Sequence, residues 1–263
     1  MTDNTALYTS QLGAGLGLVE ETRALLATWC PEMDAPALYQ AALNSGRFPN
    51  VSARRLRNIV VECFAPRYLV DDGAPAKHLK QLEHALTMPE FTQLLFLYTC
   101  RANRILADFV RQVYWDHYMA GHESISNQDA KAFVIRAMHD GKTRKLWSDS
   151  MIKNVSSYLT GCCADYGLLE KGRKSSRKIL PFRLESKVSA YLAYDLHFAH
   201  LGDNRVIGHK DWALFGLDRS DVRNELKRLS LKGYVIVQAA GDTTRISWKY
   251  TCMETLTDVI AQS

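Results

Sequence analysis

Closely spaced cations are the residues of this chain whose types and spacing point most directly to a chemistry. The run KGRKSSRK, residues 171–178, has no acid in it and carries five cations: Lys171, Arg173, Lys174, Arg177 and Lys178. Like charges at this spacing repel one another, so such a run is either solvated or neutralises an anion. If it forms the tip of a β-hairpin beside a helix, the anion we expect is the phosphate backbone of a nucleic acid.

A second group of candidates lies in the predicted helix 219–232, which has the sequence RSDVRNELKRLSLK. A projection at about 100° per residue places Val222, Leu226 and Leu229 on one face, which predicts contact with a core. The opposite face and its flanks carry the polar and basic side chains Arg219, Ser220, Arg223, Asn224, Lys227 and Arg228.

This polar face suits the major groove of a DNA duplex, where Arg pairs with guanine and Asn with adenine. Ser220, Arg223 and Asn224 are the candidates for base contacts, whereas Lys227 and Arg228 suit phosphates. Acids at positions 218, 221 and 225 dilute the positive charge. An ordinary solvated helix face therefore stays open as the alternative.

Three shorter segments complete the set of candidate DNA contacts. The helix before the basic run is expected to expose Lys153 and Asn154 opposite its apolar stripe. The segment SARRLRN places three arginines at the start of a helix, after a short helix at 35–44, which weakly resembles a helix-turn-helix. The arginines of this segment and the candidates from the predicted hairpin AAGDTTR are Arg54, Arg55, Arg57, Thr243, Thr244 and Arg245.

The elements that must position these residues are predicted in the same order twice. Residues 1–90 indicate a helical N-terminal domain with a candidate helix-turn-helix. Residues 91–186 and 187–263 each predict a helix, a short strand, two helices and a hairpin. This is the order of a winged helix-turn-helix, so we predict a mainly α protein with small β-hairpins (α+β) and tandem winged-helix modules.

The same reasoning predicts three local features of the chain. Pro66 is expected to end the helix that begins after Ser52, because proline interrupts helical hydrogen bonding. Asn127 is the expected cap of the helix that follows the first short strand. The segment NRVIG, residues 204–208, is expected to form the short strand of the second module.

Composition narrows the classes of function. A net charge of +5 and a pI near 8.8 permit an anionic partner without requiring one. The six cysteines form no C-x-x-C and no zinc-finger spacing, which predicts a reduced chain with no metal or other cofactor. Without a nucleophile elbow, P-loop, HExxH or deaminase signature, we expect neither an enzyme nor a small-molecule substrate. The most apolar window, residues 91–100, is too short to span a bilayer, so we expect a cytoplasmic protein.

Three stretches of the chain carry a family resemblance: YTSQLGAGLGLVEETRALLATW, YTCRANRILADFVRQVYWDHYMAG and SYLTGCCADYGLLEKG. They resemble the BrxA family of BREX bacteriophage-exclusion systems. The resemblance implies a non-enzymatic DNA-binding component of an antiviral locus, working beside a methyltransferase, an ATPase and other BREX proteins. Some members have been described as inner-membrane proteins, a label that the lack of a spanning segment argues against. The resemblance supplies no DNA-contacting residues, so the candidates above rest on helical projection and charge.

These observations lead to the hypothesis of a double-stranded DNA binder with limited sequence specificity and mainly phosphate-backbone contacts. A protein-interaction scaffold for other BREX subunits is the main alternative. A transcriptional regulator of its own locus is a second alternative, and it would be expected to bind two-fold-related half-sites as a dimer.

Overall fold

The computed structural model describes residues 7–9, 17–172, 174–240 and 243–262, and for residues 239, 240 and 243 the description is limited to the backbone. The protein is mostly helical with two small antiparallel strand pairs, which confirms the predicted α+β class. The helices of the first part of the chain are α1 (Val19–Thr28), α2 (Ala35–Asn44), α3 (Ala53–Asn58), α4 (Ala65–Tyr68) and α5 (Ala74–Leu82).

A long kinked helical segment comes next, and the remaining helices flank the strands. The kinked segment consists of α6 (Met88–Ala102), α7 (Arg104–Phe109) and α8 (Trp115–Met119). The later helices are α9 (Asn127–His139), α10 (Asp149–Asp165), α11 (Ser186–Phe198), α12 (Asp203–Ile207), α13 (Arg219–Leu231) and α14 (Met253–Gln262). The strands are β1 (Ser124–Ser126), β2 (Ser176–Lys178), β3 (Val235–Ala240) and β4 (Thr243–Trp248).

The chain packs into two compact units that are both discontinuous in sequence. Unit 1 contains Met1–Lys77 and Leu95–Phe182, and unit 2 contains His78–Leu94 and Arg183–Ser263. These units are defined by packing, whereas the segments 1–90, 91–186 and 187–263 are predicted from the order of the elements. The three predicted modules therefore stay a prediction.

The predicted end of a helix at Pro66 is wrong, because helical backbone continues from α3 to Tyr68. A π-helical segment, Ile59–Phe64, joins α3 to α4, and Pro66 lies at the start of α4. Proline lacks an N–H group, and its ring clashes with the carbonyl oxygen four residues earlier in an α-helix. The wider π turn just before Pro66 changes that register, and the helix accommodates the proline.

In unit 1, β2 has a partner on each side. β1 pairs with it antiparallel, with Ile125 opposite Arg177. On the other side, Leu169 forms a bridge with Ile179, and Leu180 N donates to Leu168 O at 3.0 Å. The chain therefore runs through α8, β1, α9, α10, the Leu169 segment, a basic turn and β2. The second strand predicted around the basic run is present as β2, whereas the predicted first strand is reduced to the single bridge residue Leu169.

The start of α9 corrects the expected helix cap. Ser126 caps the helix, not Asn127: Asp129 N donates to Ser126 Oγ at 3.2 Å, and Ser126 N donates to Asp129 Oδ2 at 2.8 Å. This reciprocal capping box joins the last residue of β1 to the first turn of α9. Asn127 instead accepts a hydrogen bond from Thr160 of α10, at 2.8 Å between Oγ1 and Oδ1.

In unit 2, the predicted hairpin is confirmed and the predicted short strand is wrong. β3 and β4 pair antiparallel from Val235 with Trp248 to Ala240 with Thr243. The expected strand at residues 204–208 is instead helix α12. Its first residue, Asp203, accepts hydrogen bonds from Ile246 N at 2.9 Å and from Trp248 Nε1 at 3.4 Å. A carboxylate thus bonds the β4 backbone where a strand would have supplied a carbonyl.

A buried tyrosine fastens the base of the same hairpin. The Tyr194 hydroxyl donates to Tyr234 O at 2.7 Å and accepts from Lys249 N at 2.9 Å. Its ring packs edge-to-face on Trp248, with the ring centroids 4.9 Å apart. Tyr194 therefore joins α11 to the chain just before β3 and just after β4.

We predict that Asp203→Ala lowers the free energy of unfolding by about 1–3 kcal/mol, because the Ile246 amide loses a charged, partly buried acceptor. Asn204→Ala, an exposed position in the same helix, is the matched control and is expected to change stability far less. Urea denaturation followed by circular dichroism measures both. Equal stability of the two variants would contradict the role given to Asp203.

Candidate nucleic-acid interface

The basic turn, residues 171–178, lies between the Leu169 bridge and the β1–β2 pair. Lys171, Lys174 and Lys178 are exposed, whereas Arg177 is half-buried and donates from its guanidinium to Glu170 O at 3.2 Å. Arg173 lies outside the described residues. The turn therefore presents three described lysines to solvent, while Arg177 helps to hold its base.

One acid beside the basic turn tempers its charge. Lys174 Nζ lies 2.8 Å from Glu170 Oε2. The hydrogen bond and the charge of Lys174 hold the pKa of Glu170 below its ordinary value, so the carboxylate is ionised at neutral pH. Exposed pairs of this kind are weak, and a phosphate could displace Glu170 from Lys174.

Helix α10 has the face predicted for it. Ile152, Val155 and Leu159 are buried, and Lys153 and Asn154 are exposed on the other side. Ser148 caps the helix by accepting from Met151 N at 3.4 Å. Packing against α9 fixes the buried face, so Lys153 and Asn154 are directed to solvent.

The three arginines of α3 are all exposed, as expected. Ser52 caps this helix, and Arg54, Arg55 and Arg57 follow with no acid in the first turn. Cations near a helix N-terminus are disfavoured by the helix dipole, so this end of α3 has a local excess of positive charge. It forms a second basic cluster of unit 1, separate in sequence from the basic turn.

In unit 2, helix α13 presents only part of the predicted polar face to solvent. Val222, Leu226 and Leu229 are fully buried, which confirms the core stripe. The exposed candidates are Arg219, Ser220, Asn224, Lys227 and Arg228, and Arg223 is half-buried.

Acids take up part of the charge of α13. Arg228 lies 3.2 Å from Glu225 Oε2, and buried Glu225 also accepts from Ser189 Oγ at 2.7 Å. Asp218 caps the helix, and hydrogen bonds from the Asp221 and Ser220 amides hold its pKa below the ordinary value. The carboxylates of α13 are therefore structural, and they weaken any positive field near it.

The β3–β4 hairpin corrects one predicted contact. Thr244 is 5% exposed, so it is not available to a partner, whereas Arg245 is exposed. Side chains alternate along a strand, and Thr244 shares its face with buried Ile246. Thr243 pairs with Ala240 through the backbone ladder.

Comparison with known proteins places the chain among its relatives. A family model described as BrxA matches residues 6–195. The chain belongs to the BrxA family.

A solved structure has a similar fold. The crystal structure of an uncharacterized protein from Magnetospirillum magneticum is similar, with a TM-score of 0.57 and 14% sequence identity. The match covers 73% of this chain and 94% of that chain, and at this identity it shows the fold alone. No curated protein matches the chain.

Membership of the BrxA family suggests a BREX-associated role, and BrxA is not a known enzyme family. The matched residues include α3, α10 and the basic turn, whereas α13 and the β3–β4 hairpin follow the match. The basic clusters of unit 1 therefore belong to the part of the chain that defines the family. The candidate residues of α13 lie outside that part of the chain.

The BrxA-family region also contains two exposed cations that the sequence reasoning missed. Arg144 and Lys145 lie in the loop between α9 and α10, and both are exposed. The sequence signal is the run KTRK, residues 142–145, which ends three positions before Ser148, the cap of α10. The run lies on neither a predicted helix face nor a predicted hairpin, so helical projection and strand patterning do not single it out.

The described residues meet the requirements of neither a metal site nor a membrane-spanning helix, and the adjacent cysteines of α10 do not meet those of a reactive thiol. No group of three or more His, Cys, Asp and Glu side chains among them could hold a metal ion. Burial raises the pKa of the Cys162 thiol to about 12 and that of Cys163 well above its ordinary value, so both stay protonated and unreactive. Within the same residues, no helix has the length and apolar character needed to cross a bilayer.

We predict a pH-dependent contribution of Asp129 to the stability of unit 1. Burial raises the pKa of Asp129, but hydrogen bonds from Ser126 and the nearby His117 and His122 outweigh it, and the net pKa is lowered. A lowered pKa in the folded state stabilises the fold above the unfolded value of about 4, and this is lost as the pH falls through the folded value.

Asp129→Asn should therefore destabilise the protein at pH 7, and the difference from the natural protein should shrink as the pH falls below about 4. Urea denaturation over a series of pH values measures this. Asp149→Asn, which removes an exposed acid from the first turn of α10, controls for loss of a first-turn charge. A difference that stays constant with pH would argue against the capping role.

Proposed function

We propose that this protein is a non-enzymatic, double-stranded DNA-binding component of a BREX phage-defence system. Unit 1 would contact the duplex mainly through its phosphates. The proposal rests on one observation above all. The order α8, β1, α9, α10 and a β-bridged basic turn matches the order expected of a winged helix-turn-helix, and exposed cations lie both on α10, at Lys153, and on the turn.

In this arrangement α10 would enter the major groove and the basic turn would follow an adjacent stretch of backbone. Lys171, Lys174 and Lys178 reach out from the turn, and each phosphate that they neutralise would release counterions. The Leu169 bridge and β1 hold the base of the turn on both sides, so little order would have to be imposed on the backbone there during binding.

The exposed face of α10 supports limited sequence specificity. Between its cap and its middle this face offers Ser150, Lys153, Asn154 and Ser157, without an arginine. Arginine paired with guanine is the commonest specific base contact, so few strong base contacts are available from α10. Phosphate contacts would then supply most of the affinity.

Unit 2 is the weaker candidate for DNA contact. It follows α11 with α12, a 3₁₀ turn at Trp212–Phe215, α13 and the β3–β4 hairpin, which is a similar order with Asp203 in place of the short strand. The acids around α13 compensate part of its charge, and its helix lies beyond the family match.

We predict that Lys171→Ala, Lys174→Ala and Lys178→Ala together weaken binding to all duplex sequences. The salt slope should fall by about 1 for each phosphate that the turn no longer neutralises. Arg177 is kept because it holds the base of the turn. A mobility-shift titration of the full chain at several salt concentrations measures both quantities.

Changing Arg54, Arg55 and Arg57 to Ala and repeating the mobility-shift titration compares the second basic cluster of unit 1 with the basic turn. Absence of duplex binding by the natural protein at low salt would refute the proposed function. A strong preference for one two-fold site over random duplex would instead favour a regulator of transcription, and retention of other BREX proteins after nuclease treatment would favour a scaffold.

Removing the negative charge of Glu170 provides an independent test, because it should strengthen duplex binding instead of weakening it. Glu170→Gln should strengthen duplex binding, because Lys174 loses its carboxylate partner and the turn gains net positive charge. Glu32→Gln, at an exposed acid between α1 and α2, removes the same charge away from the turn and is the matched control. Equal affinities of the two variants would show that the turn does not contact DNA.

A further inference from the structure

The loop between α9 and α10, residues 140–148, is anchored at both ends. At its first end, Lys142 N donates to Ala137 O at 2.9 Å, and Lys142 O accepts from Tyr8 N at 2.7 Å. Thr143 forms a parallel β-bridge with Tyr8. At its second end, Trp147 is only 8% exposed, and Ser148 caps α10.

Tyr8 is itself firmly held, although it comes from a distant part of the chain. It is 5% exposed, its ring stacks on Phe133 with 6.4 Å between centroids, and its hydroxyl donates to Asp108 Oδ2 at 2.6 Å. Burial and Asp108 raise the pKa of Tyr8, so its hydroxyl remains a donor. Lys142 Nζ lies 5.8 Å from the ring centroid, a cation–π contact.

Asp108 ties this anchor to α7 and the π-helical turn that follows it. Arg104 Nε lies 3.7 Å from Asp108 Oδ2, and Arg111 Nη1 lies 3.4 Å from Asp108 Oδ1. The carboxylate that receives the Tyr8 hydroxyl is thus fixed by two arginines on its own helical segment. A chain of contacts runs from α7 through Tyr8 to the backbone of the loop.

Between the two anchors, three consecutive side chains point to solvent. Arg144 and Lys145 are exposed, and Leu146 is 79% exposed, directly next to buried Trp147. The loop therefore presents two cations and one apolar side chain next to one another, a combination that fits a surface that is both anionic and apolar. The groove wall of a duplex has this character, because phosphates border apolar sugar and base surfaces.

We infer that Arg144, Lys145 and Leu146 form a second duplex-contact site of unit 1, held in place by Tyr8. This inference rests on the proposed function. Arg144 and Lys145 would meet phosphates beside the entry of α10 into the major groove, and Leu146 would pack on sugar or base carbon atoms. Tyr8 is a positioning residue: it holds the loop in one conformation, which reduces the loss of conformational freedom on binding.

An anionic lipid surface shares part of this chemistry, but it fits the loop less well. Membrane-surface segments bury a broad apolar face, whereas this loop offers one leucine. The loop also leads straight into the cap of α10, whose exposed face is polar along its first turns.

The first test separates the two parts of the site by their salt dependence. Arg144→Ala with Lys145→Ala should weaken duplex binding at least 10-fold and reduce the salt slope by about 2. Leu146→Ala should weaken binding about 3- to 10-fold with an unchanged slope, because it removes an apolar contact. Leu231→Ala, at a leucine that is 90% exposed in unit 2, is the matched control and should leave affinity unchanged.

The second test addresses Tyr8 with a double-mutant cycle in the full chain. Tyr8→Phe, which keeps the ring and loses the bond to Asp108, and Tyr8→Ala should both weaken duplex binding, the second more strongly. In the presence of Arg144→Ala and Lys145→Ala, the Tyr8 changes should have little further effect, because they act through those side chains. A merely structural role would lower affinity equally in both backgrounds, and thermal melts identify any variant that fails to fold.

The outcomes separate this inference from the proposed function. Duplex binding by the natural protein that is insensitive to all loop variants overturns the inference and leaves the proposed function standing. If the natural protein does not bind duplex DNA at low salt, the proposed function itself fails. Loss of binding to phosphatidylserine vesicles, with duplex binding unchanged, would assign the loop to a membrane surface instead.

Discussion

The pairing of β1 with β2 is the constraint on which the candidate interface depends. The ladder pairs Ser124 with Lys178 and Ser126 with Ser176, and the Ser176 hydroxyl donates diagonally to the Ser124 hydroxyl at 2.9 Å, across a separation of 52 residues. Closing so long a loop costs conformational entropy, and packing of α9 on α10 inside the loop offsets that cost. Once closed, the ladder fixes the second end of the basic turn relative to the start of α9, and the Leu169 bridge fixes the first end. The short strands therefore organise much more chain than they contain.

Charge in this protein is arranged as compensated pairs beside a few exposed cations that serve no such pair. Glu170, Asp108 and Glu225 each have a cation within 3.5 Å, and these pairs hold local geometry. Within the described residues, Lys171 and Lys178 of the basic turn and the two cations of the α9–α10 loop stand outside these pairs. A net charge of +5 thus understates how unevenly the positive charge is distributed.

Single side chains hold the short strands and loops of this protein, and two of them replace backbone partners. Asp203 bonds the β4 amide that a neighbouring strand would otherwise bond, and Tyr194 closes the base of the hairpin through its hydroxyl. Tyr8 holds the α9–α10 loop in a different way: its backbone N–H bonds the loop, and its buried side chain keeps that backbone in place. Short strands and loops in a mostly helical protein gain their order from such single contacts.

Local sequence determined the helices, their buried stripes and the basic runs, because these depend on residues within a few turns of one another. Val222, Leu226 and Leu229 are buried as their spacing predicts, and β3 and β4 pair after them. Tertiary structure decided the rest. The helix at Asp203, the burial of Thr244 and the outward loop at Leu146 depend on partners far along the chain. Asp203 bonds a residue 43 positions away, and Tyr8 bonds Asp108 100 positions away, and no local pattern encodes such contacts.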